Sequence, residues 1–337
     1  SADLVEEVVR MVGLDHVPST PLDRDAGVAK PTATAAQKIE RKVRRGAAAR
    51  GLNEAINWSF IPVSEADAFG GGAWTLANPI SEDMKVMRPS LLPGLLSAAQ
   101  RNMNRGASSV RLFEIGRRYL ADSEKLTASV VLAGEKTPRG WANGKATKFD
   151  AFDAKAEALA LLSAAGVAVD TLMIMGDAGE HYHPGQSATL RMGPKNILAA
   201  FGAVHPATAK TFDLDGPVMA AEIYLDAIPA KKSTGFMRPA FTPPALQAVT
   251  RDFAFLVPAE LPSGDLVRAI KGSDKDNIVA VQLFDQFIGQ GVPADQKSLA
   301  VEVTLQPTDK SYSDDDLKAV SEKVVSAAAK LGAVLRG

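Results

Sequence analysis

The sequence predicts an α+β protein in two parts: an antiparallel sheet with helices, then a compact unit of order β-α-β-β-α-β. Three features predict this. Strand-like segments outnumber helical ones and follow one another without a helix between each pair, which means antiparallel rather than doubly wound parallel pairing. A stretch rich in Pro, Lys, Ser and Gly from Lys231 to Pro244 reads as a linker. Beyond it, Leu299, Val301, Val303 and Leu305 alternate with Ala300, Glu302, Thr304 and Gln306, the period of a half-buried strand.

Taken in order, Leu4, Val8 and Val12 predict an opening helix stopped by Gly13. Followed by Pro18, Pro21 and Pro31, it is too small for a domain and reads as the tail of an upstream module. A second helix carries Ile39, Val43 and Ala47 on one stripe and ends at Gly51; its other face is basic, with Lys38, Arg41, Lys42, Arg44 and Arg45. Ile56, Trp58 and Phe60 alternate with polar residues as a half-buried strand would. Ser90 is the expected N-cap of a helix beginning at Leu91, with Pro93 in its first turn and Gly106 at its end. Val110–Gly134 reads as two strands and Asp153–Ala165 as a helix. Strands follow at Leu172–Met175, Ala188–Met192, Ile197–Val204 and Val218–Leu225. The last unit has strands at Asp252–Val257, Ile278–Phe287 and Ser298–Gln306. Its helices are expected near Ser263–Lys271 and after Ser313, and a short terminal strand at Ala333–Arg336. This order is ferredoxin-like, with helices on one face of the sheet and the other face open to a ligand or RNA.

The chain has 337 residues, enough for about two or three domains, each with its own core. At 46% hydrophobic and 23% charged it has an ordinary globular composition, with no apolar run that would span a bilayer and no secretory signal pattern. It contains no cysteine, which excludes disulfides, thiolate metal sites and cysteine nucleophiles and fits a cytoplasmic location. The net charge of −1 gives no bulk support for nonspecific nucleic-acid binding.

A series of local words carries a resemblance. Asp3-Leu4-Val5-Glu6-Glu7-Val8-Val9-Arg10 is followed by Asn78-Pro79-Ile80-Ser81 and by Met87-Arg88-Pro89-Ser90-Leu91-Leu92-Pro93-Gly94-Leu95-Leu96. Then come Arg101-Asn102, Phe113-Glu114-Ile115-Gly116, His183-Pro184-Gly185 and Ser187-Ala188. The last unit adds Arg251-Asp252, Phe284-Asp285, Lys297-Ser298-Leu299 and Leu335-Arg336-Gly337. In this order and at these separations, the chain resembles the bacterial phenylalanyl-tRNA synthetase beta subunit family, C-terminal region, over nearly its whole length. The resemblance implies three parts: residues 1–22, the end of an upstream module; residues 23–232, a class II synthetase-like core that does not catalyse; and residues 240–337, a ferredoxin-fold anticodon-binding domain. It implies an assembly of two alpha and two beta subunits, with ATP at the alpha subunit, and phenylalanine tRNA as the RNA partner. An RNA-binding module and an editing domain would precede this region.

Candidate sites follow. Asp3, Glu6 and Glu7 share one helix face at i, i+3 and i+4, a set that suits a hard cation or makes an acidic solvated face. The resemblance implies that they ligate Mg2+, in a site incomplete without further ligands from outside this chain. Arg111 and Glu114 resemble the pair that handles ATP in class II enzymes. No downstream Gly-rich word ending in arginine, no Walker loop and no G-x-G-x-x-G accompanies them, so no residue is assigned a catalytic role. His181, His183 and His205 lack ligand spacing, apart from the neighbouring Glu180, and read as structural or surface residues. Residues 239–337 hold ten basic and thirteen acidic side chains, so RNA affinity there cannot come from bulk charge. It would need aromatic stacking and placed cations, for which Arg251, Phe284, Phe287, Lys297 and Arg336 are the candidates. Two rival readings stand beside this one: a self-sufficient class II-like ligase, and a stand-alone regulatory protein whose ferredoxin-like unit binds a metabolite.

Overall fold

A computed structural model describes residues 1–23, 31–230 and 240–336; most of the linker expected at 231–244 lies outside them. The chain divides into two units, Ser1–Pro229 and Ala230–Gly337.

In the first unit, α1 (Ala2–Val12) buries no side chain, and its apolar residues Leu4, Val5, Val8 and Met11 are exposed. α2 (Ala35–Ala49) starts at Thr34, whose hydroxyl accepts from the Gln37 N–H while the Gln37 side chain accepts from the Thr34 N–H. This reciprocal cap fixes the start. The expected stripe buries Val43 and Ala47. Next come β1 (Asn53–Glu54), β2 (Phe60–Ile61), α3 (Val63–Asp67) and β3 (Val86–Met87). The strand expected across Ile56–Phe60 is not formed. Ile56 and Trp58 lie in a loop at 92% and 74% exposure, because only Phe60 and Ile61 find a partner, in β3. α4 (Leu92–Asn104) begins one residue later than expected. Its N-cap is Leu91, which has no side-chain cap, rather than the expected Ser90; the Ser90 Oγ, one residue earlier, accepts from the Leu92 N–H.

β4 (Ser109–Tyr119), β5 (Glu124–Thr137) and β6 (Thr147–Lys148) precede α5 (Ala151–Ala164); β7 (Met173–Met175), β8 (Tyr182–Met192), β9 (Asn196–Val204), α6 (Pro206–Thr211) and β10 (Val218–Tyr224) complete the unit. They form one sheet of order β1-β4-β5-β10-β9-β8-β7, with β6 paired to β5; every pair is antiparallel except β1–β4. His183-Pro184-Gly185 forms an irregularity inside β8, where the register to β9 shifts between Tyr182 and Ser187.

Strand alternation sends Val130 and Leu132 into a core with α2 and α5, and Val131 and Ala133 into a second core with α4. With helices on both sides, the central strands are apolar nearly throughout rather than at every second position.

The second unit has β11 (Val249–Pro258), α7 (Ser263–Ser273), β12 (Ile278–Phe287), β13 (Gln296–Leu305), α8 (Asp314–Ala329) and β14 (Val334–Leu335). The sheet order is β12-β13-β11-β14, all antiparallel. Phe255, Val257, Leu299, Val301 and Val303 pack with Leu266, Ile270, Val320 and Val324 of the helices, as the alternation predicts. Ser313 caps α8 reciprocally with Asp316. Among the described residues, no helix is long and apolar enough to cross a membrane.

Candidate functional site

The helix-α4 side of the large sheet is not apolar throughout. Glu114 in β4 lies opposite Ser129 in β5, and Ser129 lies opposite Glu222 in β10. Cross-strand partners share a face, so two carboxylates flank one hydroxyl, and all three residues are buried. A buried carboxylate is tolerated only when it is paired and hydrogen-bonded.

Glu114 meets that condition within the chain. Arg88 Nη1 donates to Glu114 Oε1 at 2.7 Å, and both side chains are 4% exposed. Asn57 Nδ2 donates to Oε2 at 2.7 Å. Arg88 Nε also donates to the Arg117 carbonyl at 3.1 Å. Gly116 is what admits the guanidinium: a Cβ there would stand 2.5 Å from Arg88 Nη2. Arg111, by contrast, is turned to the other side of the sheet. Three residues along a strand reverses the face, so its guanidinium lies 4.9 Å from the Phe149 ring centroid and its Nη2 donates to the Lys136 carbonyl. The two residues that resemble an ATP-handling pair are therefore not brought together.

Glu222 is held differently. Ser90 Oγ donates to its Oε1 at 2.7 Å, while His181 Nε2 stands 3.5 Å from Oε2 without the alignment of a hydrogen bond. Burial pushes the Glu222 carboxyl up, but His181, Ser90 and the Arg118 charge together outweigh it and hold the group below the usual carboxylate range. His183 and His205 do local work: each Nδ1 accepts from a backbone N–H two residues on, at Gly185 and Ala207. The residues missed in the sequence are Arg88 and Glu222. The signal for Glu222 was available: a lone carboxylate inside the apolar run Val218–Tyr224 demands a partner.

At the opening helix, Glu7 is engaged by Arg10 at 2.6 Å. Among the described residues no group of three or more carboxylate or histidine side chains could hold a metal ion. Asp3, Glu6 and Glu7 as placed do not by themselves make a magnesium site. On α2, Arg44 pairs with Glu40 and Glu54, and Arg50 with Glu157, so part of the basic face serves internal ion pairs.

In the second unit the register sorts the five RNA candidates. Phe287 lies opposite Ser298 and Ser298 opposite Leu256, on the face away from the helices. The Arg336 N–H donates to the Ala254 carbonyl, and its Nη1 reaches Ser298 Oγ at 3.4 Å, so Arg336 joins Phe287 at this end of the open face. Phe284 falls in a bulge between Leu283 and Asp285 and is 55% exposed. Arg251 and Lys297 lie opposite Val303 and Val257, both buried under the helices, so the structure puts these two on the other side and at opposite ends. The open face also carries Asp252 opposite Glu302, with Asp285 nearby on β12.

The profile of the family described as "Phenylalanyl tRNA synthetase beta chain CLM domain" matches residues 19–225, and that of the "Ferredoxin-fold anticodon binding domain" matches residues 244–336. The chain is 67% identical to the phenylalanine–tRNA ligase beta subunit of Novosphingobium aromaticivorans, covering 99% of this chain and 43% of that protein. It is 55% identical to that of Zymomonas mobilis, over 99% of this chain and 42% of that protein. For Brucella abortus the identity is 45%, over 100% of this chain and 43% of that protein. A solved pyrrolysyl-tRNA synthetase from Desulfitobacterium hafniense matches with a TM-score of 0.44 at 17% identity, over 56% of this chain and 65% of that one, too loose a likeness to argue from. A sheet unit that matches the CLM domain of a synthetase beta chain, followed by a ferredoxin-fold anticodon-binding module, defines part of an aminoacyl-tRNA synthetase. The chain belongs to the phenylalanyl-tRNA synthetase beta chain family, and it spans about two fifths of the length of the relatives it matches.

Proposed function

We propose that this region makes no bond itself: it scaffolds a catalytic alpha subunit and offers an anticodon reader to phenylalanine tRNA, within a cytoplasmic enzyme of two alpha and two beta subunits that joins phenylalanine to tRNA using ATP. The observation that carries the proposal is the engagement of Glu114. Its carboxylate is taken up by Arg88 and Asn57, so the polar face holds an internal ion pair where a nucleotide-handling group would have to be free. ATP is assigned to the alpha subunit, and Asp3, Glu6 and Glu7 take part in Mg2+ binding only with ligands from outside this chain. The exposed loop residues Ile56 and Trp58 are the candidates for contact with the alpha subunit.

For RNA, the charge pattern favours bases over phosphates on the sheet. Asp252, Asp285 and Glu302 would repel a phosphate chain laid across the open face, whereas Phe284 and Phe287 offer stacking surfaces and Arg336 a nearby cation. The test has two arms. The chain alone should show no phenylalanine-dependent ATP–pyrophosphate exchange, and measurable exchange would overturn the scaffold role. It should bind phenylalanine tRNA in preference to the same tRNA with a changed anticodon, and lose that preference when residues 240–337 are removed. Equal affinity for the two tRNAs would overturn the reader role.

A further inference from the structure

A cavity of about 320 Å³ opens at the Glu222 end of the polar row, walled by Phe69, Ser90, Arg118, His181, Glu222 and Tyr224. That volume is within the range of small-ligand sites. The polar lining is not fully partnered. Among the described residues, three buried side-chain polar atoms have no partner: Ser129 Oγ, His181 Nε2 and Tyr182 Oη. Of these residues only His181 lines the cavity; Ser129 and Tyr182 are not among its wall residues. Ser129 is the cross-strand neighbour of Glu222, His181 stands 3.5 Å from Glu222 Oε2, and the Tyr182 phenol is pushed up by burial and by the Glu222 charge. Buried unpartnered groups are rare in native proteins, and the unpartnered His181 Nε2 at the wall suits a polar occupant.

The chemistry of the wall selects the occupant. Ser90 takes Glu222 Oε1, and His181 Nε2 stands 3.5 Å from Oε2, which leaves Oε2 able to accept from a further donor. Arg118 lies 4.4 Å from the Tyr224 ring centroid and its Nε donates to Thr127 Oγ1, which leaves both Nη groups with no partner among the described residues. A guanidinium fork held flat in this way suits a carboxylate. The ring of Phe69, 4.8 Å from that of His181, adds an apolar wall. We propose that the cavity binds a small zwitterion, with its ammonium against Glu222, its acid group on Arg118, and a short apolar chain against Phe69. The wall residues all belong to the first unit.

The test uses the whole chain and three probes: L-norvaline, n-butylamine, which lacks the acid group, and pentanoate, which lacks the ammonium. Binding is read by calorimetry and by the ring resonances of His181 in labelled protein. L-norvaline should bind saturably and move those resonances. Each one-charge analogue should bind about tenfold to a hundredfold more weakly, the worth of one charge-assisted hydrogen bond. Glu222→Gln and Arg118→Met should each weaken norvaline binding by a similar factor; the wild-type probe series stands alone if either variant fails to fold. The proposal is overturned if norvaline shows no binding at about 10 mM, a generous ceiling for a specific site. It is also overturned if either analogue matches norvaline, or if binding leaves the His181 ring unmoved because ordered water alone fills the cavity.

Discussion

Replacing Arg88 by Met tests the central claim about the polar face. Both Arg88 and Glu114 are almost fully buried, and Arg88 is the one cation hydrogen-bonded to Glu114 among the described residues. The substitution keeps an unbranched chain of similar reach but leaves a buried carboxylate with only the Asn57 donors. Removing one partner of a buried pair costs about 3–5 kcal/mol, because the remaining charge stays desolvated. A charge separation of about 4 Å at an effective dielectric constant near 20 gives about 4 kcal/mol, in agreement. The double variant Arg88→Met, Glu114→Leu should recover much of that loss, since both charges are then gone. Chemical denaturation followed by tryptophan fluorescence is the assay. All three tryptophans, Trp58, Trp74 and Trp141, lie in the first unit, so the signal reports that unit without interference from the second. A single-variant loss below about 1 kcal/mol, the worth of an ordinary surface pair, would refute the reasoning.

Three further outcomes are expected. Gly202→Ala should cost at least about 2 kcal/mol in the same assay: Gly202 has φ +146 and a Cβ there would collide with Gln186 and Ser187 at the β8 irregularity, so an unchanged midpoint would remove that account. In the second unit, burial pushes the Asp274 carboxyl up, but hydrogen bonds from Lys323 and Asn277 hold it below its ordinary value. A depressed folded value stabilises the fold above the unfolded value and is lost as pH falls through the folded one. Lys323→Met should therefore move the acid unfolding of this unit to higher pH, as read by amide NMR, and an unmoved transition would count against it. Phe287→Ala should weaken phenylalanine tRNA binding by roughly 1–3 kcal/mol with little change in the salt slope, because stacking rather than phosphate neutralisation is removed; a filter-binding titration showing full affinity would reject Phe287 as a contact.

Much of the fold was legible because it rests on short-range rules. The βαββαβ order, the Ser313 cap and the alternation of Leu299, Val301, Val303 and Leu305 each follow from local spacing and recur in the structure. Where local spacing misled, a tertiary partner decided. Ile56, Trp58 and Phe60 have the period of a strand, yet only Phe60 and Ile61 have a neighbouring edge to pair with. The resemblance to the synthetase family was likewise legible, since it is carried by residue words rather than by contacts.

The site was legible only in part. The sequence held two signals that its reading passed over: the three-residue spacing puts Arg111 and Glu114, read as a pair, on opposite faces of a strand, and a charge at Glu222 is costly in an apolar run. It could not say that Arg88, 26 positions before Glu114, supplies the balancing charge, or that Ser90 reaches Glu222 across 132 positions. It also could not show that Phe287 and Arg336 meet at Ser298 while Arg251 and Lys297 turn the other way. Those pairings depend on strand order and register, which bring distant positions within a few ångströms, and no local period encodes such distances.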